Sequence, residues 1–511
     1  MTDLSNVFDL PANGPRPVDM EAEIPFGKHA GTAIKDLDPG YVSWLLSGAD
    51  HWWVDEYRTS LEASRTYIDE EALPEYTLEA DQELASQEIC HYMDILSGPI
   101  HRLQGGAGYG KSFATQDIVI NMKRAGYTVR ACATSYVATQ NIAKDLEPLG
   151  VECGTIARML RLNVEYEGAK ENYLPGSATY EVLPEILGHK QLLIVDEYSM
   201  VNDTLASILT TNVQLYGGRL LVVGDVYQLP SPDQDWDSAL CHVDPVSTLT
   251  IPKRYALDSD LFRVEQIARA NPYEFQTELF RGSSEVQQLR DLDEMVRRYV
   301  EVYKEFPDQQ TMMLWFRRDD MVEGNRLIRE QLFGKDAPDV CEDENLRVQR
   351  TSDYTEYFMC DQSRRVYSGT TMRVVSAESG DRKIYIEAMD KSFTIPVTWI
   401  VTDEGHEYAV IFSVTEHKAS PDKRGGVEFN AALQEIATWC DERNHWQTYR
   451  LFRNCFVQVS YQYASTIHRV QGMSVDNVFT SPTALRRAPA FTAAKLQYVG
   501  LTRAKKRLIC L

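Results

Sequence analysis

The sequence predicts an α/β fold built on parallel sheets and divided into more than one domain. From Tyr76 to about Val246, apolar runs typical of buried strands (TVRACAT, QLLIVDE and GRLLVVGD) alternate with helical stretches, which is the pattern of a parallel sheet with crossover helices. A glycine-rich loop, LQGGAGYGKS, stands between a predicted strand, IHRL, and a predicted helix that ends at Gly126. The chain has 511 residues, too many for one ordinary core, so we expect two to four domains.

The glycine-rich loop matches the phosphate-binding pattern, in which Gly105 is followed after four residues by Gly110, Lys111 and Ser112. Its glycines allow successive backbone N–H groups to point at phosphate oxygens. Lys111 is expected to contact the β- and γ-phosphates, and the Ser112 hydroxyl to ligate Mg²⁺. The sequence therefore predicts ATP and Mg²⁺ at a loop made of Gly105, Gly106, Ala107, Gly108, Gly110, Lys111 and Ser112.

Polar side chains also follow two later predicted strands. Asp196 and Glu197 come directly after the apolar run LLIV, at the end of a strand that should open beside the loop. Asp196 is expected to hold Mg²⁺, and Glu197 to orient and deprotonate the attacking water. Gln228 follows the next strand, LLVVGD, and is a candidate sensor of the γ-phosphate. These residues predict hydrolysis of the bound triphosphate.

Composition limits where the protein works and what it binds. The chain carries 52 Lys plus Arg against 75 Asp plus Glu, a net charge of −23, which argues against a broad basic face that coats nucleic acid. That balance is compatible with a motor that grips a strand in one local channel. The sequence shows no signal peptide, no apolar run of the ~20 residues that span a bilayer, and nine cysteines without a CxxC pair. We expect a cytoplasmic protein that does not enter membranes.

The order of the motifs carries a resemblance to a known family. They are TLEADQ, GGAGYGKS, DEYSM, GDVYQLP, LTIPKRY, YASTIHRVQGMSVDNVF and YVGLTRAKKRL. Over about residues 76–511 the set resembles superfamily 1B DNA helicases, in the RecD-like branch that includes the Dda helicases of T-even phages. The resemblance implies two RecA-like domains with ATP clamped between them and single-stranded DNA crossing both. It also implies unwinding of forked duplex DNA, with movement 5′→3′, and the host cytoplasm as location if the chain is phage-encoded.

The resemblance assigns further site residues. Gln82 would read the adenine, and Gly472 would lie at the nucleotide. Arg254 and Arg503 would reach the phosphates from the second domain as arginine fingers. The strand-binding candidates are Thr134, Thr155, Thr466 and His468.

Three positions depart from the family pattern, and they affect the grip on DNA rather than the ATP chemistry. Ala133 stands where proline is usual, Ala157 where histidine is common, and Arg469-Val470 where Lys-Ser is common. The hairpin near residues 163–182 is where relatives carry a strand-separating wedge. Its tyrosines, among which the sequence does not distinguish, are Tyr166, Tyr173 and Tyr180.

The predicted domain organisation combines these signals. Two alternating runs around Ser379-Gly380 indicate that the insertion of the second domain is rich in β-structure, and the resemblance identifies this insertion as SH3-like. The predicted units are a flexible tail (1–21), an amino-terminal module (22–65), a linker (66–76), RecA-like domain 1A (77–246) with the hairpin 1B, RecA-like domain 2A (247–334 and 445–511) and the β-rich insertion 2B (335–444).

The amino-terminal module is distinct from the motor. Its segment IPFGKHAGTAIKDLDPGYVSWLL is similar to a small module found on some exonuclease-like and phage proteins. Gly27 and Gly31 suit a tight hairpin, and PGYVSWLL suits a helix that starts after Pro39. Lys28, His29, Trp44 and the pair Trp52-Trp53 are candidates for contact with DNA or with a single-strand-binding or replisome protein. For Trp44 we favour a place in the core.

Three functions are compatible with these patterns. The first is an ATP-driven DNA helicase, and the second is an ATPase that remodels nucleoprotein without unwinding. The third, a small-molecule kinase with a phosphate-binding loop, leaves Arg254, YASTIHRVQG and YVGLTRA unexplained. We favour the helicase.

Overall fold

The structure, a computed structural model, contains two parallel α/β domains, a closed β-barrel and a small amino-terminal module. It describes residues 18–48, 51–68, 73, 76–167, 170–355, 363–412, 425–443, 445–485, 488 and 490–511. The α/β fold with two parallel sheets that the sequence predicts is confirmed. Most of the predicted tail and part of the predicted linker (69–72 and 74–75) lie outside the described residues.

The amino-terminal module has a core of its own. Gly27 and Gly31 have positive φ angles of 71° and 84°, in a turn that brings Glu23 into an antiparallel bridge with Ala33. Three helices follow: α1 (Pro39–Gly48), α2 (Trp52–Glu56) and α3 (Arg58–Ser64). The buried residues are Ile24, Ile34, Leu37, Val42, Leu45, Trp53, Val54 and Leu61.

Trp44 is not among these core residues, so the prediction for it is wrong. Its side chain is 55% exposed, whereas Trp53 is 3% exposed. Leu45 and Val42 fill the inner face of α1, and the residues of one helical face are three to four apart, which leaves Trp44 on the outer side.

The first α/β domain is built on six parallel strands in the order β3-β2-β6-β7-β1-β8. The apolar runs of the sequence form the central strands, buried on both faces. In chain order the elements are α4 (Ala80–Cys90), β1 (Ile100–Gln104), α5 (Lys111–Arg124), β2 (Thr128–Ala133), α6 (Tyr136–Leu146), β3 (Glu152–Thr155), α7 (Ile156–Met159), β4 (Asn163–Glu167), β5 (Lys170–Leu174), α8 (Ser177–Leu187), β6 (Gln191–Asp196), α9 (Asp203–Tyr216), β7 (Arg219–Gly224) and β8 (Val246–Thr248).

Strands β4 and β5 form the hairpin outside this sheet, paired from Asn163↔Leu174 to Glu167↔Lys170. The hairpin is shorter than the predicted 163–182, because Gly176 ends it and α8 begins at Ser177. Tyr180 therefore lies on α8 rather than on the hairpin.

The second α/β domain has five parallel strands in the order β18-β10-β19-β20-β9. Its first part contains α10 (Asp260–Ala270), β9 (Val286–Gln288), α11 (Leu292–Glu305), β10 (Thr311–Trp315) and α12 (Arg318–Phe333). The β-rich insertion then supplies β11 (Asn345–Val348), β12 (Ser352–Tyr354), β13 (Arg364–Val366), β14 (Thr371–Ile386), β15 (Lys391–Thr402), β16 (Glu407–Phe412), α13 (Gly425–Arg443), α14 (Trp446–Asn454) and β17 (Val457–Tyr461). The chain returns to the second sheet with β18 (Ala464–Thr466), β19 (Val475–Thr480), α15 (Pro482–Leu485), α16 (Ala490–Leu501) and β20 (Ala504–Cys510).

The barrel closes through β11-β14-β15-β16-β17. The two alternating runs around Ser379-Gly380 belong to one strand, because β14 continues for 16 residues and the chain turns only at Asp390, which has a φ of +45°. Gly380 lies opposite Val397 inside the ladder, and a Cβ at Gly380 would be 3.2 Å from the Trp399 ring. The glycine makes room for packing there and does not mark a turn.

Two predicted domain boundaries differ from the strand pairing. Strand β8 pairs in parallel with β1, so the first sheet continues beyond residue 246. Strand β17 closes the barrel beside β11 and β16, so the insertion extends beyond residue 444. Neither boundary has a proline- or glycine-rich linker in the sequence to mark it. Among the described residues, no helix is long and apolar enough to cross a membrane.

Candidate nucleotide and strand-binding site

A cleft of about 620 Å³ lies between the two α/β domains, a volume typical of small-molecule sites. Both halves of the chain line it. The predicted residues on its walls are Ala107, Gly108, Gly110, Lys111, Ser112, Asp196, Glu197, Gln228, Arg254, Gly472 and Arg503. Residues that lie more than 300 positions apart in the sequence thus share one site.

The glycine-rich loop forms the floor of the cleft, between β1 and α5. Gly108 and Gly110 have φ angles of +85° and +76°, which side chains rarely adopt, and Gly110 precedes the first residue of α5. Lys111 Nζ donates to the carbonyl oxygens of Gly105 (2.8 Å) and Gly106 (3.1 Å). The lysine is thereby held over the loop, at the positive end of the helix dipole where an anion binds favourably.

The two carboxylates stand at the end of β6. Glu197 has a φ of +52°, an uncommon backbone conformation for this residue type, and its Oε2 is buried without a hydrogen bond within the described part of the chain. Burial and the neighbouring Glu197 raise the pKa of Asp196, while Lys111 opposes that rise. Burial also raises the pKa of Glu197, against Lys111 and Arg503. This environment suits a group that accepts a proton.

Arg503 approaches the carboxylates from the second domain. It follows α16, is 2% exposed, and donates through Nη1 to the Met473 carbonyl (3.1 Å) and through Nε to the Val499 carbonyl (3.2 Å). Burial and the nearby Arg254 lower the pKa of Arg503, and Glu197 raises it. The guanidinium is thus held in place between the nearby charges of Arg254 and Glu197.

Arg254 joins the two domains rather than belonging to the second. Its backbone N–H, like that of Lys253, donates to the Gly108 carbonyl (3.0 and 2.7 Å), so the segment lies against the loop. Its guanidinium donates to the Thr502 carbonyl (3.1 Å) and to Ser474 Oγ (2.6 Å) in the second domain. The predicted approach from the second domain is therefore corrected: Arg254 lies on the connecting segment, with its side chain directed to that domain.

Gln228 and Gly472 connect the cleft to the second domain. Gln228 is 1% exposed, its Oε1 has no hydrogen bond in the described structure, and its carbonyl accepts from Lys495 Nζ (2.9 Å). A Cβ at Gly472 would be 3.4 Å from Glu197 Oε1, so this glycine borders the proposed base. Both residues thus lie where the two domains meet at the cleft.

Gln82 lies behind the loop, outside the cleft lining. Its Nε2 donates to the carbonyls of Tyr109 (3.3 Å) and Gly110 (3.2 Å), and its Oε1 accepts from the Glu79 N–H (2.9 Å). Both ends of the amide therefore support the loop and the start of α4. Contact of Gln82 with adenine stays a prediction.

The strand-binding candidates lie at or just after the carboxyl ends of three strands: β2 and β3 of the first sheet and the edge strand β18 of the second, with β2 next to β6, which carries Asp196. Thr134 follows β2, and Thr155 ends β3, where its hydroxyl accepts from the Arg158 N–H (3.3 Å). Thr466 ends β18 and His468 follows it in a short 3-10 turn; burial lowers the pKa of His468. Each sheet thus carries a pair of candidates at the carboxyl ends of its strands.

The departures from the family pattern fall next to these residues. Ala133 pairs with Thr155 on one side and with Asp196 on the other, so it links the two candidate sites through the sheet register. The Arg469 carbonyl accepts from Arg347 Nη2 of the barrel (2.9 Å), and Val470 is fully buried. Of the wedge candidates, Tyr173 on the hairpin is 52% exposed, and the side chain of Tyr166 lies outside the described residues.

Sequence reasoning missed several residues that line or brace the cleft. Gln471 Nε2 donates to Ser199 Oγ (3.2 Å) and to the Leu229 carbonyl (3.3 Å), joining the two domains. The signal for it was present, because it precedes Gly472 in the same motif. Others had no pattern of their own: Asn141, Gln310, Ser474 and Lys505 line the cleft.

Two family matches bear on these features. Residues 77–256 match the AAA domain, and residues 461–511 match the UvrD-like helicase C-terminal domain. The chain is 24% identical over 425 residues to the ATP-dependent DNA helicase dda of Enterobacteria phage T4, covering 79% of this chain and 92% of the relative. It is 29% identical over 130 residues to the ATP-dependent DNA helicase Pif1 of Campylobacter jejuni, covering 25% of this chain and 28% of that relative.

These matches support a superfamily 1B helicase of the Pif1/Dda type. The match to the AAA domain ends at residue 256, just after Arg254, which agrees with the loop contacts of that segment. Among solved structures, the Pif1 helicase from Candida albicans is similar, with 16% identity, a TM-score of 0.42, and coverage of 86% of this chain and 94% of that one.

Proposed function

We propose that this Pif1/Dda-type protein is an ATP-dependent DNA helicase that moves 5′→3′ on single-stranded DNA and unwinds forked duplexes. The observation that carries the proposal is the composition of the cleft. Lys111 and Glu197 come from the first domain, Arg503 comes from the second, and Arg254 connects them. A site divided in this way is complete only when the domains are close, so hydrolysis and domain motion are coupled.

The residues divide the chemistry of ATP + H₂O → ADP + phosphate. Lys111 holds the β- and γ-phosphates, and Glu197 accepts the proton of the attacking water. Arg503 and Arg254 stabilise the charge that develops on the transferred phosphoryl group. Arginine fingers contribute roughly 10³–10⁵ in rate where they have been measured.

The Ser112 hydroxyl and the Asp196 carboxylate are oxygen donors that suit Mg²⁺, and both line the cleft. Bound there, Mg²⁺ would neutralise phosphate charge. The ion also favours the charged form of Asp196, against the burial that raises its pKa.

The DNA strand would run over the carboxyl ends of β2, β3 and β18, on Thr134 and Thr155 of the first domain and Thr466 and His468 of the second. Hydroxyl and imidazole groups contact phosphates without reading bases, which suits a motor that must accept every sequence. The names of the two curated relatives, both ATP-dependent DNA helicases, support DNA as the substrate.

The test measures the ATPase rate with and without single-stranded DNA, and unwinding of forks with a 5′ or a 3′ tail. Strong stimulation with unwinding only from the 5′ tail supports the proposal, and Lys111→Ala should lose both activities. Stimulation without unwinding of either fork would favour nucleoprotein remodelling instead. DNA affinity should fall as salt rises, because phosphate contacts release counterions, and a flat response would contradict a backbone grip.

A further inference from the structure

Three aromatic rings and a cation are arranged in a row on the amino-terminal module. His29 and Tyr41 have ring centroids 4.3 Å apart, and Tyr41 and Trp44 have centroids 5.3 Å apart at an interplanar angle of 25°. Lys28 Nζ lies 5.9 Å from the centroid of the Tyr41 ring. We call His29, Tyr41 and Trp44 the ring ladder.

Trp44 is not part of the module's core, whereas Tyr41 is partly buried and packs against that core. Trp53 supplies the buried tryptophan, whereas Trp44 is more than half exposed at the end of the ladder. Large aromatic side chains that pack against one another at the surface, outside the core, are characteristic of binding sites.

The ladder adjoins the strand-binding edge of the first domain. Arg158 Nη2 lies 3.7 Å from where a Cβ on Gly40 would be, and the Arg158 backbone N–H donates to Thr155 Oγ1. Gly40 and Trp44 are four residues apart on α1, so they share one face of that helix. The adjoining face of α1 is hydrogen-bonded to the first domain, because Ser43 Oγ donates to Glu152 Oε2 (2.8 Å) at the start of β3.

The charges around the ladder suit a nucleic-acid backbone. Lys28 and Arg158 are exposed cations. The nearby acid Asp38 already accepts a hydrogen bond, because its Oδ1 accepts from the Tyr41 N–H at the start of α1 (2.8 Å). Another nearby acid, Glu147, has a pKa raised first by burial and then by Asp38, which disfavours its charged form.

We propose that the ring ladder binds single-stranded DNA that extends beyond Thr155, by stacking a base on the exposed Trp44 ring, which Tyr41 supports from within the ladder, while Lys28 and Arg158 contact phosphates. Stacking tolerates every base, as a translocating motor requires. The inference rests on the proposed function and deepens it, since it assigns the module to the DNA path rather than to a protein partner.

The test compares two unlabelled oligothymidylates that compete with a labelled one. The first is the shortest that fully stimulates the wild-type ATPase, and the second is the same strand lengthened at its 5′ or its 3′ end. The wild-type protein should bind one lengthened strand more tightly than the short one. Trp44→Ala should lose roughly tenfold in affinity for that strand, with unchanged affinity for the short one.

The matched control is Trp52→Ala, which removes a similarly exposed tryptophan on α2, outside the ladder. Its affinities should equal those of the wild type. A second measurement photocrosslinks strands with a halogenated uridine at successive positions, and the added nucleotides should attach to Tyr41 or Trp44.

The outcomes separate the two proposals. If the wild type shows no stimulation by any strand, the proposed function fails. If stimulation is normal but lengthening adds no affinity, or Trp44→Ala and Trp52→Ala lose it equally, the ladder is not a DNA site and the proposal is overturned. Normal stimulation with crosslinks only to the first domain would overturn it as well.

Discussion

Replacing Glu265 with glutamine should stabilise the protein above neutral pH and have a much smaller effect in acid. Glu265 lies on α10 of the second domain and is 1% exposed. Its Oε1 is 2.4 Å from where a Cβ on Gly106 would be, directly against the phosphate-binding loop. Neither carboxyl oxygen makes a hydrogen bond of good geometry within the described residues, so a charge there is poorly compensated.

The size of the effect follows from the pKa of Glu265. That pKa is raised from 4.5 to about 7, mainly by burial and also by Asp225, although Arg269, Arg254 and the Tyr109 hydroxyl act to lower it. The unfolded chain releases this proton near pH 4.5, and the folded chain keeps it to about pH 7, so stability falls between those values and remains lower above them. The loss amounts to about 3 kcal/mol at pH 8.5 and about 1 kcal/mol at pH 5.5.

Glutamine resembles the protonated acid in shape and carries no charge, so Glu265→Gln should remove most of this loss. The measurement is the difference in melting temperature between variant and wild type at pH 5.5 and at pH 8.5. The difference should be positive and clearly larger at pH 8.5. Glu278→Gln, an exposed position in the same domain, is the control and should show no such pH dependence. An equal difference at both pH values, or a destabilised variant at pH 8.5, would refute the argument from burial.

Three further substitutions test the cleft. Arg503→Ala should retain ATP binding, measured with a fluorescent analogue, and lose hydrolysis by roughly 10³-fold or more; loss of binding instead would contradict a finger role. Gly108→Ala should weaken both ATP binding and hydrolysis, because its φ is +85° and the new Cβ would lie 2.3 Å from Arg254 Cβ; equilibrium binding checks this, and wild-type affinity would show that the loop can shift freely. Gln471→Ala should keep basal ATPase but lose stimulation by single-stranded DNA, because its contacts join the domains; full stimulation would exclude it from coupling.

The nucleotide half of the site could be predicted from the sequence because its chemistry depends on short, local patterns. The backbone of Gly108 and Gly110 and the strand-end position of Asp196 follow from residues within a few positions of each. Arg503 was found only through the family resemblance, since nothing near it in the sequence indicates a partner more than 300 residues away.

Tertiary packing decided the positions that sequence reasoning missed. Gly380 stands between two alternating runs in the sequence, yet both runs form one strand, and the Trp399 ring from the neighbouring strand requires the space at Gly380. Trp44 looks like a core residue, yet the core of the module is completed by Trp53 from another helix. Arg254 was assigned to the second domain, although it lies on the segment that connects the two domains. The boundary was placed too early because β8, which extends the first sheet, is a short edge strand whose burial pattern alternates within three residues.

One short segment brings the proposed strand-binding and nucleotide residues of the second domain together. It begins with Thr466 at the end of β18, and Gln471 then reaches across to Ser199 and Leu229 of the first domain. The two residues after Gly472 each hold an arginine: the Met473 carbonyl accepts from Arg503, and Ser474 Oγ accepts from Arg254.

A strand that displaces Thr466 or His468 would therefore move the anchors of both arginines within fewer than ten residues, without a separate relay. The barrel is attached to the same segment, because Arg347 donates to the Arg469 carbonyl and lies 3.6 Å from Met473 Sδ. DNA contact, barrel position and arginine placement are thus constrained by one piece of backbone. For that reason a change in any one of them should alter the ATPase response to DNA more than the basal rate.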